Sequence, residues 1–151
     1  MTTFEEELDT HGSIIFTNRG RSMLPLLRQN RDVMVIDRRG PDRLKKYDAV
    51  LFKRDTGQYI LHRILRLEDG GYYIAGDNNV SGEFVREDQI LGVLRSVRRG
   101  DRTINVTDFG YRCYVRLFRP VHRALIRPRQ FVYRIACRCA RFVKRKLLRI
   151  K

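Results

Sequence analysis

Apolar and polar positions change places in short runs along the first two thirds of the chain, the pattern of strands rather than helices. Residues 13–17, Ser-Ile-Ile-Phe-Thr, form a β-branched, apolar run that reads as a strand. Residues 33–37 read as a second strand, which Gly40-Pro41-Asp42 ends. Residues 49–54 and 59–67 flank Asp55-Thr56-Gly57, a turn signal between two apolar runs, and so predict a β-hairpin with His62 on its second strand. Gly70-Gly71 closes a further hairpin into residues 72–75, and Asp77-Asn78-Asn79 follows as a loop of residues that bond their own backbone. Residues 90–98 and 102–106 predict the last strands. A short helix is expected over residues 3–11, with Thr3 as its cap and Glu5, Glu6 and Glu7 at its positive end. Many short strands at close spacing predict a mainly β fold, an antiparallel sheet coiled or partly closed into a barrel.

From Tyr111 the spacing becomes helical. Val132, Ile135, Cys139, Phe142 or Val143, Leu147 and Ile150 recur every three or four residues with basic residues between them. Pro120 and Pro128 interrupt the run, so helices are expected near 110–118, 120–126 and 129–148. The chain of 151 residues is long enough for one cored domain. It divides into a β domain, 1–108, and a basic amphipathic extension, 109–151.

Charge sharpens that division. The net charge is +15, yet residues 109–151 hold fourteen Lys and Arg and no Asp or Glu, so the first 108 residues are nearly neutral. The extension has three readings: peripheral binding to an anionic membrane, packing on the β domain with its arginines solvated, or binding of nucleic acid or an acidic partner without a recognised motif. Residues 1–9 carry four acids and no basic run, which is not a secretory signal, and no window reaches the roughly 18 apolar residues of a membrane-spanning helix. A cytoplasmic protein, peripheral at the inner membrane face, is expected. Cys113, Cys137 and Cys139 are an odd set without zinc-finger spacing and read as reduced, small apolar residues.

Three stretches carry candidate chemistry: Gly20-Arg21-Ser22-Met23-Leu24-Pro25, Leu61-His62-Arg63-Ile64 and Ala75-Gly76-Asp77-Asn78-Asn79. They supply a serine, a histidine and an acid in that order. A serine hydroxyl becomes a nucleophile when a base takes its proton, and histidine titrates in the right range to do so. Ser22-Met23-Leu24-Pro25 resembles the Ser-Met-x-Pro nucleophile box of signal peptidase I and the LexA-type self-cleaving proteins. Gly76-Asp77-Asn78-Asn79 resembles the Gly-Asp-Asn box of signal peptidases. His62-Arg63 is similar to the histidine followed by arginine of the archaeal and endoplasmic-reticulum enzymes, where bacterial ones place a lysine. The similarity runs over about residues 19–94, with the boxes about forty and fifteen residues apart.

The resemblance implies a serine endopeptidase of signal peptidase/LexA-like fold, acting on a signal, leader or precursor peptide through an acyl-enzyme, with no metal or cofactor. Ser22 is then the nucleophile, His62 the general base and Asp77 the orienting acid. Met23 packs and Pro25 shapes the turn. His11 and His122 are rival bases away from the motifs. Departures from the family pattern bear on two further positions. The box lacks the family's second aspartate, its stretch reading Val80-Ser81-Gly82-Glu83-Phe84, so Glu83 is the alternative acid and Asp88 the next. Gly20 stands where signal peptidases carry an oxyanion serine, which leaves that task to backbone N–H groups at Ser22 and Gly20. A non-catalytic module binding peptide, membrane or nucleic acid on the same fold is the rival reading.

Overall fold

Residues 49–52, Ala-Val-Leu-Phe, alternate between the two faces of a strand, and all four are buried. A strand buried on both sides needs apolar layers above and below it. The computed structural model of the chain describes residues 3–17, 19–118 and 124. Two apolar clusters provide those layers. Ala49, Leu51 and Leu61 join Met23, Leu27, Met34 and Ile36 in one, whereas Val50, Phe52 and Ile64 join Tyr72, Ile74 and Val85 in the other.

Helix α1 (Phe4–His11) begins with the expected cap. The Thr3 hydroxyl accepts from the Glu6 N–H, the Glu6 carboxylate accepts from the Thr3 N–H, and Gly12 ends the helix at φ 71°. The strands are β1 (Ser13–Thr17), β2 (Asp32–Arg38), β3 (Ala49–Lys53), β4 (Tyr59–Glu68), β5 (Gly71–Ala75), β6 (Glu83–Arg86), β7 (Ile90–Arg99) and β8 (Arg102–Asn105). Strand β6 was not expected from the pattern, because its four residues are too few to display an alternation. The rest lie within a residue or two of their predicted bounds.

All pairings are antiparallel, in the order β1-β2-β7-β3-β4-β5-β6, with β8 also on β7. The mainly β, antiparallel architecture is as expected, and the sheet is open along this path. The terminal strands β1 and β6 do not meet, and β7 instead divides one edge between β3 and β8 while its other edge takes β2. Bulges at Val35/Ile36 and Leu51/Phe52 accommodate this sharing.

After β8 comes helix α2 (Phe109–Cys113), continued by a wider π-type turn at Tyr114–Phe118, where one helix over 110–118 was expected. Tyr111 and Val115 belong to the same apolar cluster as Met23 and Leu27, so this first part of the basic extension packs on the sheet. Of the helix expected over 120–126 only residue 124 is described, as helical and exposed, and the helix expected over 129–148 lies outside the described residues, as do Cys137 and Cys139. Cys113 is half-buried and forms no disulfide. Among the described residues no helix is long and apolar enough to cross a membrane.

The segment between β1 and β2 is held down at both ends. Met23, Leu26 and Leu27 are buried, and the Leu27 N–H donates to the Met23 carbonyl. Beyond them the buried Asp32 carboxylate accepts from Arg99 at 2.6 and 2.9 Å and from the Arg28 N–H at 2.9 Å, while Arg99 also reaches the Leu26 carbonyl. Burial works against the Asp32 charge, but the bonds from Arg99 and Arg28 outweigh it and hold the carboxyl below its ordinary range. Asp32→Ala should cost about 3 kcal/mol in urea unfolding, since it leaves Arg99 unpaired at a partly buried site. Asp9→Ala, which breaks the exposed Arg38 pair, should change stability by less than about 0.5 kcal/mol.

Candidate functional site

Ser22 and His62 line the same cleft, of about 840 Å³, with Gly20, Arg54 and Asn79 among the polar walls and Phe4, Phe16 and Leu61 among the apolar ones. Ser22 is half-buried, on the segment that the buried Met23 and Leu27 anchor. His62 reaches the cleft from β4. The sequence separates the two residues widely, and the packing of the β1–β2 segment over the hairpin brings them to one surface.

The Gly-Asp-Asn-Asn box lies directly against Ser22. The Asn78 N–H donates to the Ser22 carbonyl at 2.7 Å and the Asn78 side-chain amide to the Arg21 carbonyl at 3.2 Å. A Cβ at Gly76 would stand 2.6 Å from the Ser22 carbonyl oxygen and 2.9 Å from the Ser22 Cβ, so only glycine permits this approach. The first and third boxes are thus one structural unit.

His62 is 5% exposed, its ring centroid 6.0 Å from that of Phe52. Its Nδ1 is buried without a hydrogen-bond partner, and Glu83 Oε1 stands 3.7 Å away. Glu83 is itself gripped by Arg54, from Nε at 2.7 Å and Nη2 at 2.5 Å. Burial lowers the His62 pKa below its ordinary value and the Arg54 charge adds to this, against opposition from Glu83 and Asp77. The imidazole is accordingly neutral at neutral pH, the form a base requires. Among the described residues no hydrogen bond joins Ser22 to His62, and such bonds in unliganded sites often tighten only with substrate.

Asp77 has partners other than the one expected of an orienting acid. Arg63 follows His62 on β4 and therefore points to the other face, where its Nε and Nη2 donate to the two Asp77 oxygens at 2.8 Å each. Both side chains are fully buried. Arg63 Nη1 donates to the Tyr47 carbonyl at 2.8 Å and to the Tyr111 hydroxyl at 3.0 Å, and the Tyr114 hydroxyl donates to Asp77 at 3.1 Å. Burial disfavours the Arg63 charge, but Asp77 more than compensates, so the Arg63 pKa is raised, whereas burial raises that of Tyr111. Asp77 acts on His62 only as a charge through space; Glu83 is the carboxylate facing the ring nitrogen.

The remaining candidates are dispersed. His11 is exposed in the last turn of α1, Asp88 pairs with Arg86 at an exposed site, and His122 lies outside the described residues. Among the described residues no group of three His, Cys, Asp or Glu side chains could hold a metal ion. Arg54, Tyr111 and Tyr114 were not singled out from the sequence. No local signal marks them, because their partners are 29, 48 and 37 residues away. Searches of the sequence against protein-family models and against curated proteins return no match.

Gly76→Ala should destabilise the protein by about 1–3 kcal/mol in denaturant unfolding, because the added methyl meets backbone rather than a movable side chain. Arg63→Met should cost about 3–5 kcal/mol by leaving Asp77 charged and buried, with partial recovery in the Arg63→Met/Asp77→Leu double variant, measured the same way. His62 binds fewer protons folded than unfolded. Its contribution to stability is therefore full above about pH 6.5 and declines as pH falls toward the lowered folded value; in His62→Phe that part of the stability–pH curve should flatten.

Proposed function

We propose that the chain is a serine endopeptidase of the signal peptidase/LexA-like kind that cleaves a signal, leader or precursor peptide. The observation that carries this reading is the meeting of Ser22 with a buried, neutral His62 in one cleft, the His62 Nδ1 turned toward a carboxylate. The Ser22 hydroxyl oxygen attacks the peptide carbonyl carbon as its proton passes to His62 Nε2, the ring nitrogen away from Glu83. The developing imidazolium is stabilised by Glu83, which needs to close less than 1 Å to hydrogen-bond Nδ1 from its present 3.7 Å. Main-chain N–H groups at Ser22 and Gly20 are the candidate donors to the oxyanion.

The tetrahedral intermediate collapses, the C–N bond breaks, and His62 returns the proton to the leaving amine. Water then attacks the acyl-Ser22 ester with His62 again as base, releasing the acid and restoring the hydroxyl. Asp77 serves by holding the box under Ser22 through Arg63. The terminal position of β1, whose Phe16 and Thr17 line the cleft, supports an extended peptide bound as an added strand. The absence of a Ser22–His62 hydrogen bond favours the rival reading, a peptide-binding module without catalysis. A fluorophosphonate probe separates them: it should label the wild type and not Ser22→Ala, and an unlabelled wild type leaves only the binding module.

His62→Ala should slow labelling at least about 100-fold. Glu83→Gln should slow it with little loss of stability, whereas Asp77→Asn should lower the unfolding midpoint first; the reverse pattern would return the orienting role to Asp77. The labelling rate should fall as pH drops through a value below about 6.5, where His62 takes up its proton. An acid limb clearly above that value would count against His62 as the base.

A further inference from the structure

The helical segment at residues 109–118 has two dissimilar sides. Tyr111 and Val115 are buried, and Tyr111 and Tyr114 reach the Arg63–Asp77 pair. Phe109, Arg112, Arg116 and Leu117 are exposed and form the outer arc. There Phe109 is 83% exposed and Leu117 63% exposed, which the fold itself does not require. Beside this arc is a second groove, of about 440 Å³, separate from the Ser22–His62 cleft. Val93 and Val106 contribute apolar wall, and Lys45, Lys46, Arg112 and Arg116 border it.

The acid in this wall, Asp48, accepts from the Lys45 backbone N–H at 2.8 Å, and the Lys46 ammonium stands 5.1 Å over the Tyr47 ring. Among the described residues none of the four basic side chains forms a salt bridge. Residues 119–151 hold twelve Lys and Arg and no acidic side chain, so that segment supplies no charge to neutralise them. The surface therefore combines unpaired positive charge with large exposed apolar groups. A nucleic acid would answer the charge but leave Leu117 and the groove wall in water. An anionic bilayer answers both, taking the apolar groups below its headgroups while long basic side chains reach the phosphates.

We propose that Phe109, Arg112, Arg116 and Leu117, with Lys45 and Lys46 across the groove, form a docking surface for an anionic lipid bilayer. Docking there is independent of whether Ser22 is a nucleophile. The twelve basic residues of 119–151 would attract vesicles by themselves, so the decisive probe must report from the arc. The chain contains no tryptophan, so full-length Phe109→Trp carries a single one. Its emission should shift to shorter wavelength with phosphatidylglycerol/phosphatidylcholine vesicles and not with pure phosphatidylcholine. In the otherwise native chain, Phe109→Ser/Leu117→Ser should weaken vesicle sedimentation at least about tenfold, and Lys45→Gln/Lys46→Gln roughly fivefold per charge removed. Unfolding midpoints close to wild type would show that these exposed substitutions leave the fold intact. Unchanged tryptophan emission overturns the proposal, as does wild-type sedimentation of the Phe109→Ser/Leu117→Ser protein. A shift with single-stranded RNA but none with anionic vesicles would also overturn it, marking a nucleic-acid surface instead.

Discussion

The buried Arg63–Asp77 ion pair ties together three parts of the chain that share no backbone pairing. Arg63 belongs to β4, Asp77 to the loop against Ser22, and the tyrosines that complete the network to the helical segment after β8. Two opposite charges at zero exposure are stable only when nearly every donor and acceptor is met. Here the guanidinium meets two carboxylate oxygens, a backbone carbonyl and a tyrosine hydroxyl, while the carboxylate also receives a second tyrosine hydroxyl. Such a network has one good geometry, and that geometry fixes where the loop at residues 76–79 lies.

The consequence reaches Ser22 through the main chain. With Asp77 held, Gly76 comes within a distance of Ser22 that no side chain would tolerate, and Asn78 bonds both the Ser22 and Arg21 carbonyls. From the other side the Asp32–Arg99 pair and the burial of Met23 and Leu27 hold the same segment. Ser22 is thereby positioned by its backbone, leaving its side chain to the cleft. Adjacent residues of β4 divide the work, since strand alternation sends His62 to the cleft and Arg63 to the scaffold behind it.

A second arginine–carboxylate pair conditions His62. Arg54 grips Glu83 and so keeps a carboxylate near Nδ1 while drawing off part of its charge, and burial keeps the ring neutral. The two pairs are alike in chemistry and opposite in position. One is wholly buried and acts through the backbone, the other borders the cleft and acts through the field at the imidazole.

The strands were legible in the sequence because each is a local pattern: β1 from Ser-Ile-Ile-Phe-Thr, the β3–β4 hairpin from Asp-Thr-Gly between apolar runs, α1 from Thr3 and its glutamates. Ser22 and His62 stood out as candidates in an ordered set of boxes, and the fold places both on one cleft. Strand β6 was too short to show a period, and the open order of the sheet depends on pairings that no local pattern specifies. Which carboxylate faces His62 was equally beyond local reading. Asp77 and Glu83 are six residues apart and chemically alike, and only the pairing of β6 with β5 and the reach of Arg63 and Arg54 separate them. The sequence by itself determined the elements and marked the candidate side chains, since those follow from neighbours along the chain; the tertiary structure decided their partners, because burial and charge pairing act between residues that only folding brings together.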